Sequence, residues 1–106
     1  MEIIRKGAEA KDELMGGIFK TNKVKSEALE VLELEIMPGS ALKPHDMPCK
    51  VAFFVIEGIG TFTYGETTET AKPGDMIHVN PGKPRFWANN SDAPLKVLVI
   101  KSLGEK

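Results

Sequence analysis

Residues 39–58 read GSALKPHDMPCKVAFFVIEG, and this stretch carries most of the information about the fold. Its first half is polar and contains two prolines. Its second half, residues 51–57, is an apolar, aromatic and β-branched run typical of a strand covered on both faces. Gly39 and Gly58 bound the stretch, and glycine at a strand end tolerates a positive φ or a close backbone approach. The stretch therefore predicts a buried strand between two tight corners.

A second stretch, residues 74–89, reads GDMIHVNPGKPRFWAN and has a similar construction. It begins in a turn at residues 72–75, where proline, glycine and aspartate fall together. Two short strands are predicted, at residues 76–79 and 85–88, separated by the proline- and glycine-rich residues 80–84.

Further strand signals fill most of the chain. Residues 28–37 (ALEVLELEIM) alternate apolar and acidic side chains, which favours a half-buried strand over a helix. A hairpin is predicted at residues 61–64 and 67–71, and a last strand at residues 95–101. Weaker predictions are strands at residues 3–4 and 17–19, a helical turn within residues 7–14, and a solvated loop at residues 20–25. Many short strands without a long helix indicate a sandwich or a barrel.

The two stretches share their spacings with the two motifs of the cupin superfamily, and the chain resembles a small single-domain cupin with degenerate metal-binding motifs. The motifs read Gly39-x5-His45-x-Met47-x3-Val51-x6-Gly58 and Gly74-x5-Asn80-x-Gly82-x2-Arg85-x3-Asn89. One departure is that the family's proline stands at position 81 instead of 80. The resemblance implies an all-β fold, a cupin-type double-stranded β-helix (jelly-roll barrel), as one domain over residues 1–106. It also implies a homodimer, because open barrels have sheet edges to protect.

In the family, His, His, Glu and His bind one divalent metal inside the barrel. The matching positions here hold His45, Met47, Val51 and Arg85. Arginine stays protonated and cannot act as a ligand. At ~5 Å from a dication and an effective dielectric of ~20, its repulsion would cost on the order of 6 kcal/mol. We therefore expect no metal and no other cofactor.

The same positions predict a ligand pocket. Residues two apart on a strand share a face, and the family's register would turn these side chains inward. The predicted pocket residues are His45, Met47, Val51, Phe53, Arg85 and Trp87. Arg85 offers a carboxylate or phosphate a bidentate fork, and His45 a second hydrogen bond, within an apolar wall. The predicted function is metal-independent binding of a small organic anion. In the alternative, Arg85 points out of the barrel and pairs with a surface acid, leaving a packed interior.

Three enzymatic or metal-binding alternatives stay open at this point. Some metal-free cupins resemble sugar-nucleotide epimerases and isomerases, and His45 would then be the general base and the only catalytic residue. A dioxygenase or decarboxylase with an altered metal site is a second alternative. In the third, His45, Met47 and Cys49 form a soft ligand set for Cu(I), whereas Cys49 could equally be a small buried hydrophobe. Whether the protein is an enzyme is left undecided.

Composition excludes several other classes. Fourteen basic and fifteen acidic residues give a net charge of −1, which offers no long-range attraction for nucleic acid or an anionic membrane. Hydrophobic residues make up 42% of the chain and charged residues 27%, as in ordinary soluble domains. The single cysteine excludes an intrachain disulfide, and the amino terminus lacks an apolar stretch of signal length. We therefore expect a cytoplasmic protein.

Overall fold

The computed structural model describes residues 1–103, and the regular elements in that range are nine β-strands. They are β1 (Lys11–Met15), β2 (Ile18–Lys25), β3 (Leu29–Ile36), β4 (Lys50–Glu57), β5 (Gly60–Tyr64), β6 (Thr67–Ala71), β7 (Met76–Val79), β8 (Arg85–Ala88) and β9 (Leu95–Ser102). The strands form a six-stranded sheet, in the order β1-β2-β3-β9-β4-β7, and a three-stranded sheet, in the order β6-β5-β8. The all-β prediction is confirmed. No helix in residues 1–103 has the length and apolar character needed to cross a membrane.

Alternation in β3 builds one wall of the core. Leu32, Leu34 and Ile36 are buried, whereas the intervening glutamates are half-exposed. Across the ladder, Leu32 lies opposite Val99 of β9, and Leu34 opposite Val97. Each fully buried aliphatic side chain of this kind contributes about 1.5–3 kcal/mol. The register of this antiparallel pair is therefore set by which face is apolar.

An aromatic cluster joins the two sheets. The Phe53 ring of β4 lies 5.0 Å from that of Phe62 on β5 and 5.7 Å from that of Trp87 on β8, measured between centroids. The Phe62 and Trp87 rings are also 5.0 Å apart. All three pairs are tilted or edge-on, the arrangements that aromatic quadrupoles favour. The three-stranded sheet is thereby held against the larger one.

The prediction that β4 is covered on both faces is wrong for the single chain. Val51, Phe53 and Val55 are buried, but Phe54 is only half-buried and Ile56 is 42% exposed. The six-stranded sheet thus turns a partly apolar face outward. The homodimer stays a prediction.

Two expectations for the amino-terminal part are also wrong. No helical turn forms within residues 7–14: residues 7–10 lie outside the strands, and residues 11–14 belong to the edge strand β1. The loop expected at residues 20–25 belongs to β2. The glycine-bounded segment at residues 17–19 does enter β2, whereas residues 3–4 form no strand. Pairing explains the difference, because β2 lies along β3 from Ile18 opposite Ile36 to Lys25 opposite Glu30. The composition of residues 20–25 does not reveal that β3 is their hydrogen-bonding partner.

The motif glycines adopt the backbone conformation expected of them. Gly39, Gly58, Gly74 and Gly82 all have positive φ. Gly58 is the most constrained, with φ of 84°, and a Cβ there would lie 2.3 Å from the carbonyl oxygen of Pro94. The chain can turn from β4 to β5 at this place only with a residue that lacks a side chain.

Asn89 holds the corner after β8. It is fully buried, and its Nδ2 donates to the carbonyl oxygens of Ile36 and Ala93, both at 2.8 Å. Its Oδ1 accepts from the backbone nitrogen of Ser91 at 2.9 Å and from Ser91 Oγ at 2.7 Å. The amide thereby uses its full hydrogen-bonding capacity and links the end of β3 to the turn before β9.

We expect Asn89→Ala to lower the free energy of unfolding by about 2 kcal/mol, because buried backbone groups lose their partners. Urea denaturation measures the change. The matched control is Asn90→Ala, since Asn90 is exposed and makes a single side-chain contact of 3.5 Å to Thr61; its effect should stay within about 0.5 kcal/mol. Equal effects of the two substitutions would contradict the role given to Asn89.

Candidate ligand-binding site

A cavity of about 180 Å³ is lined by residues from both sheets. The strands β1, β2, β3, β4 and β9 contribute from the larger sheet, and β5 and β8 from the smaller one. All six sequence-predicted pocket residues line this cavity: His45, Met47, Val51, Phe53, Arg85 and Trp87. The alternative of a fully packed interior is therefore wrong.

Arg85 is the charged group at the centre of the site. Its residue is 2% exposed, so the alternative in which it points out of the barrel is also wrong. Its backbone nitrogen donates to the carbonyl oxygen of His45 at 2.9 Å, and the nitrogen of His45 donates back at 3.2 Å. This bridge attaches the segment before β4 to β8. The nearest acid is Asp46, whose Oδ1 lies 3.8 Å from Arg85 Nη1 and whose side chain is 47% exposed.

Three buried donors in this site have no hydrogen-bond acceptor within residues 1–103. They are Nη1 and Nη2 of Arg85 and Nε1 of Trp87. The contact to Asp46 is too long to be a hydrogen bond. Most buried polar groups in native proteins are paired, and an unpaired one costs about 1–3 kcal/mol, more when it is charged. The site therefore presents a guanidinium fork and an indole N–H that lack a partner.

The other predicted residues form the wall and the rim. Val51, Phe53 and Trp87 are buried, Met47 is half-buried, and His45 is exposed although it lines the cavity. The His45 ring is placed by a 3.3 Å contact from Nδ1 to the carbonyl oxygen of Lys43. These side chains thus give the site an apolar wall with His45 at its exposed rim.

The segment at residues 45–49 is not a regular strand. Apart from the single bridge at His45, it has no ladder, so alternation does not give His45, Met47 and Cys49 a common face. Cys49 is buried in the hydrophobic core. The Cu(I) hypothesis was based on a shared strand face for these three residues, and the structure removes that basis.

The sequence analysis missed a second group of cavity residues, Lys20, Glu30 and Lys101. Glu30 Oε1 lies 3.1 Å from Lys101 Nζ, and its Oε2 lies 3.9 Å from Lys25 Nζ. The hydrogen bond from Lys101 is the main reason that the pKa of Glu30 is lowered, so Glu30 is ionised at neutral pH. The sequence did contain a signal for Glu30. It lies two residues before the buried Leu32 on β3, and residues two apart on a strand share a face.

With this geometry established, comparison with known proteins is informative. The family described as the cupin domain matches residues 32–101. This chain belongs to the cupin family. No curated protein matches the chain significantly.

Solved cupins share the fold of this cupin over nearly its full length. An RmlC-like cupin from Shewanella frigidimarina is similar with a TM-score of 0.87 and 14% identity, covering 100% of this chain and 95% of that one. A predicted oxalate decarboxylase from Thermotoga maritima is similar with a TM-score of 0.88 and 15% identity, and the match covers 96% of this chain and 99% of that one. The polyketide cyclase RemF from Streptomyces resistomycificus is similar with a TM-score of 0.86 and 17% identity, and the match covers 97% of this chain and 80% of that one. At these identities the likeness concerns the fold alone, and the cupin-type double-stranded β-helix is confirmed.

The side chains at the family's four metal positions do not fit a divalent transition metal. They supply one exposed imidazole, a thioether, an isopropyl group and a guanidinium whose N–H groups are free to donate. Within residues 1–103, His, Cys, Asp and Glu form no group of three or more that could hold a metal ion. Such ions need deprotonated nitrogen, oxygen or sulfur ligands, and a nearby guanidinium repels them.

Restoring the ligands should therefore create a metal site. We expect the triple variant Met47→His, Val51→Glu, Arg85→His to retain about one zinc or nickel ion per chain after dialysis, measured by elemental analysis. Arg85→His alone, the matched control, removes the repelling charge but lacks the carboxylate at position 51 and the third imidazole at position 47, so it should retain much less. Stoichiometric metal in the wild-type protein under the same conditions would contradict the argument from its ligands.

Proposed function

We propose that this cupin binds a small organic anion, with Arg85 as the anchor and without a divalent metal. The observation that carries the proposal is the buried guanidinium whose two terminal nitrogens have no acceptor within residues 1–103. A carboxylate would accept from both nitrogens in the bidentate geometry that arginine favours. Trp87 lines the same cavity, and its Nε1, which has no acceptor within residues 1–103, is a candidate third donor.

The cavity sets the size of this anion. Its volume is about 180 Å³, and an apolar protein cavity of about 150 Å³ holds benzene. The ligand should therefore have roughly seven to ten non-hydrogen atoms. Val51, Phe53 and Met47 would contact its carbon skeleton, as apolar walls do in most small-molecule sites.

Asp46 does not remove the need for a ligand. Its carboxylate is 47% exposed and 3.8 Å from Arg85 Nη1, so solvent screens the attraction. A ligand carboxylate inside the cavity would lie where the dielectric is lower and would make direct hydrogen bonds. Asp46 thus offsets part of the charge of Arg85, and the guanidinium N–H groups stay available to a ligand.

A series of carboxylic acids tests the proposal by differential scanning fluorimetry. An acid present at about 100 times its Kd adds about 2.7 kcal/mol to the unfolding free energy, which corresponds to roughly 10 °C in Tm for a domain of this size. Arg85→Met should abolish the response. Arg5→Met is the matched control, because Arg5 is the only other arginine and is exposed. The proposal fails if no acid of suitable size raises Tm, or if Arg85→Met responds like the wild type.

The ligand-free protein gives an independent test. Methionine has a similar length and needs no hydrogen-bond partner, so Arg85→Met should raise the unfolding free energy of the ligand-free protein by about 1–3 kcal/mol. Chemical denaturation without added acid measures this change. A marked loss of stability would mean that Arg85 is a satisfied structural residue, and its assignment as the anchor would be wrong.

A second candidate function is proton transfer by His45 on a bound acid. His45 lines the cavity, its backbone is paired with that of Arg85, and its ring contacts the Lys43 carbonyl through Nδ1. If Nδ1 carries the proton and donates it there, Nε2 is left unprotonated and able to accept a proton. An imidazole beside an anchored carboxylate is a reasonable general base for removing a proton from the neighbouring carbon.

Deuterium exchange distinguishes the two candidates. In D2O, a bound acid should exchange hydrogen at the carbon next to its carboxylate if His45 removes and returns a proton, and proton NMR follows the loss of signal. His45→Gln should stop the exchange while the acid still raises Tm. If no acid that binds shows exchange, this cupin is a binding protein only.

A further inference from the structure

The cavity lining contains a second polar group, formed by Lys20, Glu30 and Lys101. These residues belong to β2, β3 and β9 of the six-stranded sheet, whereas Arg85 belongs to β8 of the three-stranded sheet. The two polar groups therefore approach the cavity from different sheets. The aromatic rings of Phe53, Phe62 and Trp87 line the same cavity.

Lys20 is the informative member of this second group. It lies two residues after the fully buried Ile18 on β2 and pairs with the buried Leu34 on β3. Inward positions of a strand usually carry apolar side chains, and lysine seldom takes them without a partner. Within residues 1–103, the Lys20 ammonium has no hydrogen bond and no ion pair shorter than 4 Å.

The neighbouring acid is already occupied. Glu30 holds Lys101 at 3.1 Å and lies 3.9 Å from Lys25, so it attracts Lys20 only at longer range. Around the cavity, three cationic side chains (Lys20, Arg85 and Lys101) face one carboxylate (Glu30). The half-exposed Asp46 is not a lining residue, but its carboxylate lies 3.8 Å from Arg85 Nη1 and offsets the charge of Arg85. With Asp46 included, one net positive charge remains, and it lies with Lys20, Lys101 and Glu30.

We propose that the ligand carries two acidic groups, one held by Arg85 and the other by Lys20, and is a short dicarboxylate. This inference rests on the proposed anion-binding function. An aliphatic chain of two to four methylene groups between the carboxylates gives eight to ten non-hydrogen atoms, the size that a cavity of about 180 Å³ accepts. Its methylene groups contact the aromatic wall, while each carboxylate meets a cation that lacks a direct acceptor.

Matched acids test the second anchor by isothermal titration calorimetry. Succinate, glutarate and adipate are compared with butyrate, valerate and hexanoate, which have the same chain lengths and one carboxylate. At one chain length the diacid should bind roughly tenfold more tightly than its monoacid, the size of one charge-assisted hydrogen bond. Lys20→Gln should bring that ratio close to one, and Lys20→Arg, which keeps the charge, should retain most of it. Lys96→Gln is the control, because Lys96 lies between two buried residues of β9 and faces outward.

The outcomes separate this inference from the function on which it rests. If neither kind of acid binds the wild type, the proposed function itself fails. If monoacids and diacids bind equally well and both require Arg85, the anion site stands and the second anchor is wrong. A diacid preference that survives Lys20→Gln, or that disappears equally in Lys96→Gln, also overturns the assignment of Lys20, whose charge would then be a solvated feature of the strand.

Discussion

Burial of the Arg85 guanidinium, whose two terminal nitrogens have no acceptor within residues 1–103, is the constraint on which the site depends. The backbone bridge between Arg85 and His45 fixes the start of β8, and the alternation of β8 brings Trp87 to the same side. Both residues then present unpaired donors to one cavity. A folded protein keeps such a costly arrangement only if the rest of the structure supports it, and unpaired buried groups concentrate at functional sites for that reason.

The stability that supports this polar interior comes from elsewhere in the barrel. Ile18, Leu95 and Val97 are fully buried, and the aromatic rings of Phe53, Phe62 and Trp87 join the sheets. The bonds of Asn89 close a corner that carries no ligand-facing group. Core and site share these three rings, so the apolar wall of the cavity is also part of the packing that stabilises the barrel.

The guanidinium also relates this chain to its family. A metal ion bound by three imidazoles and a carboxylate places positive charge inside the barrel. Arg85 places positive charge there by a different means and adds directional N–H donors in a fixed fork. The interior of the barrel is therefore cationic with either arrangement. The cluster of Lys20, Glu30 and Lys101 adds charge from the other sheet, so both sheets contribute charged side chains to a cavity that is otherwise lined mostly by apolar ones.

Much of this was available from the sequence alone. Period-two alternation and turn residues located β7 and β8 at their observed bounds, and the motif spacings indicated the fold and singled out six residues that line one cavity, because both signals are local. The tertiary structure alone decided three points: that residues 20–25 form a strand, that Lys20 faces the cavity, and that Arg85 is buried. Each depends on pairing between distant segments or on the direction of a long flexible side chain, and neither leaves a periodic trace in the sequence.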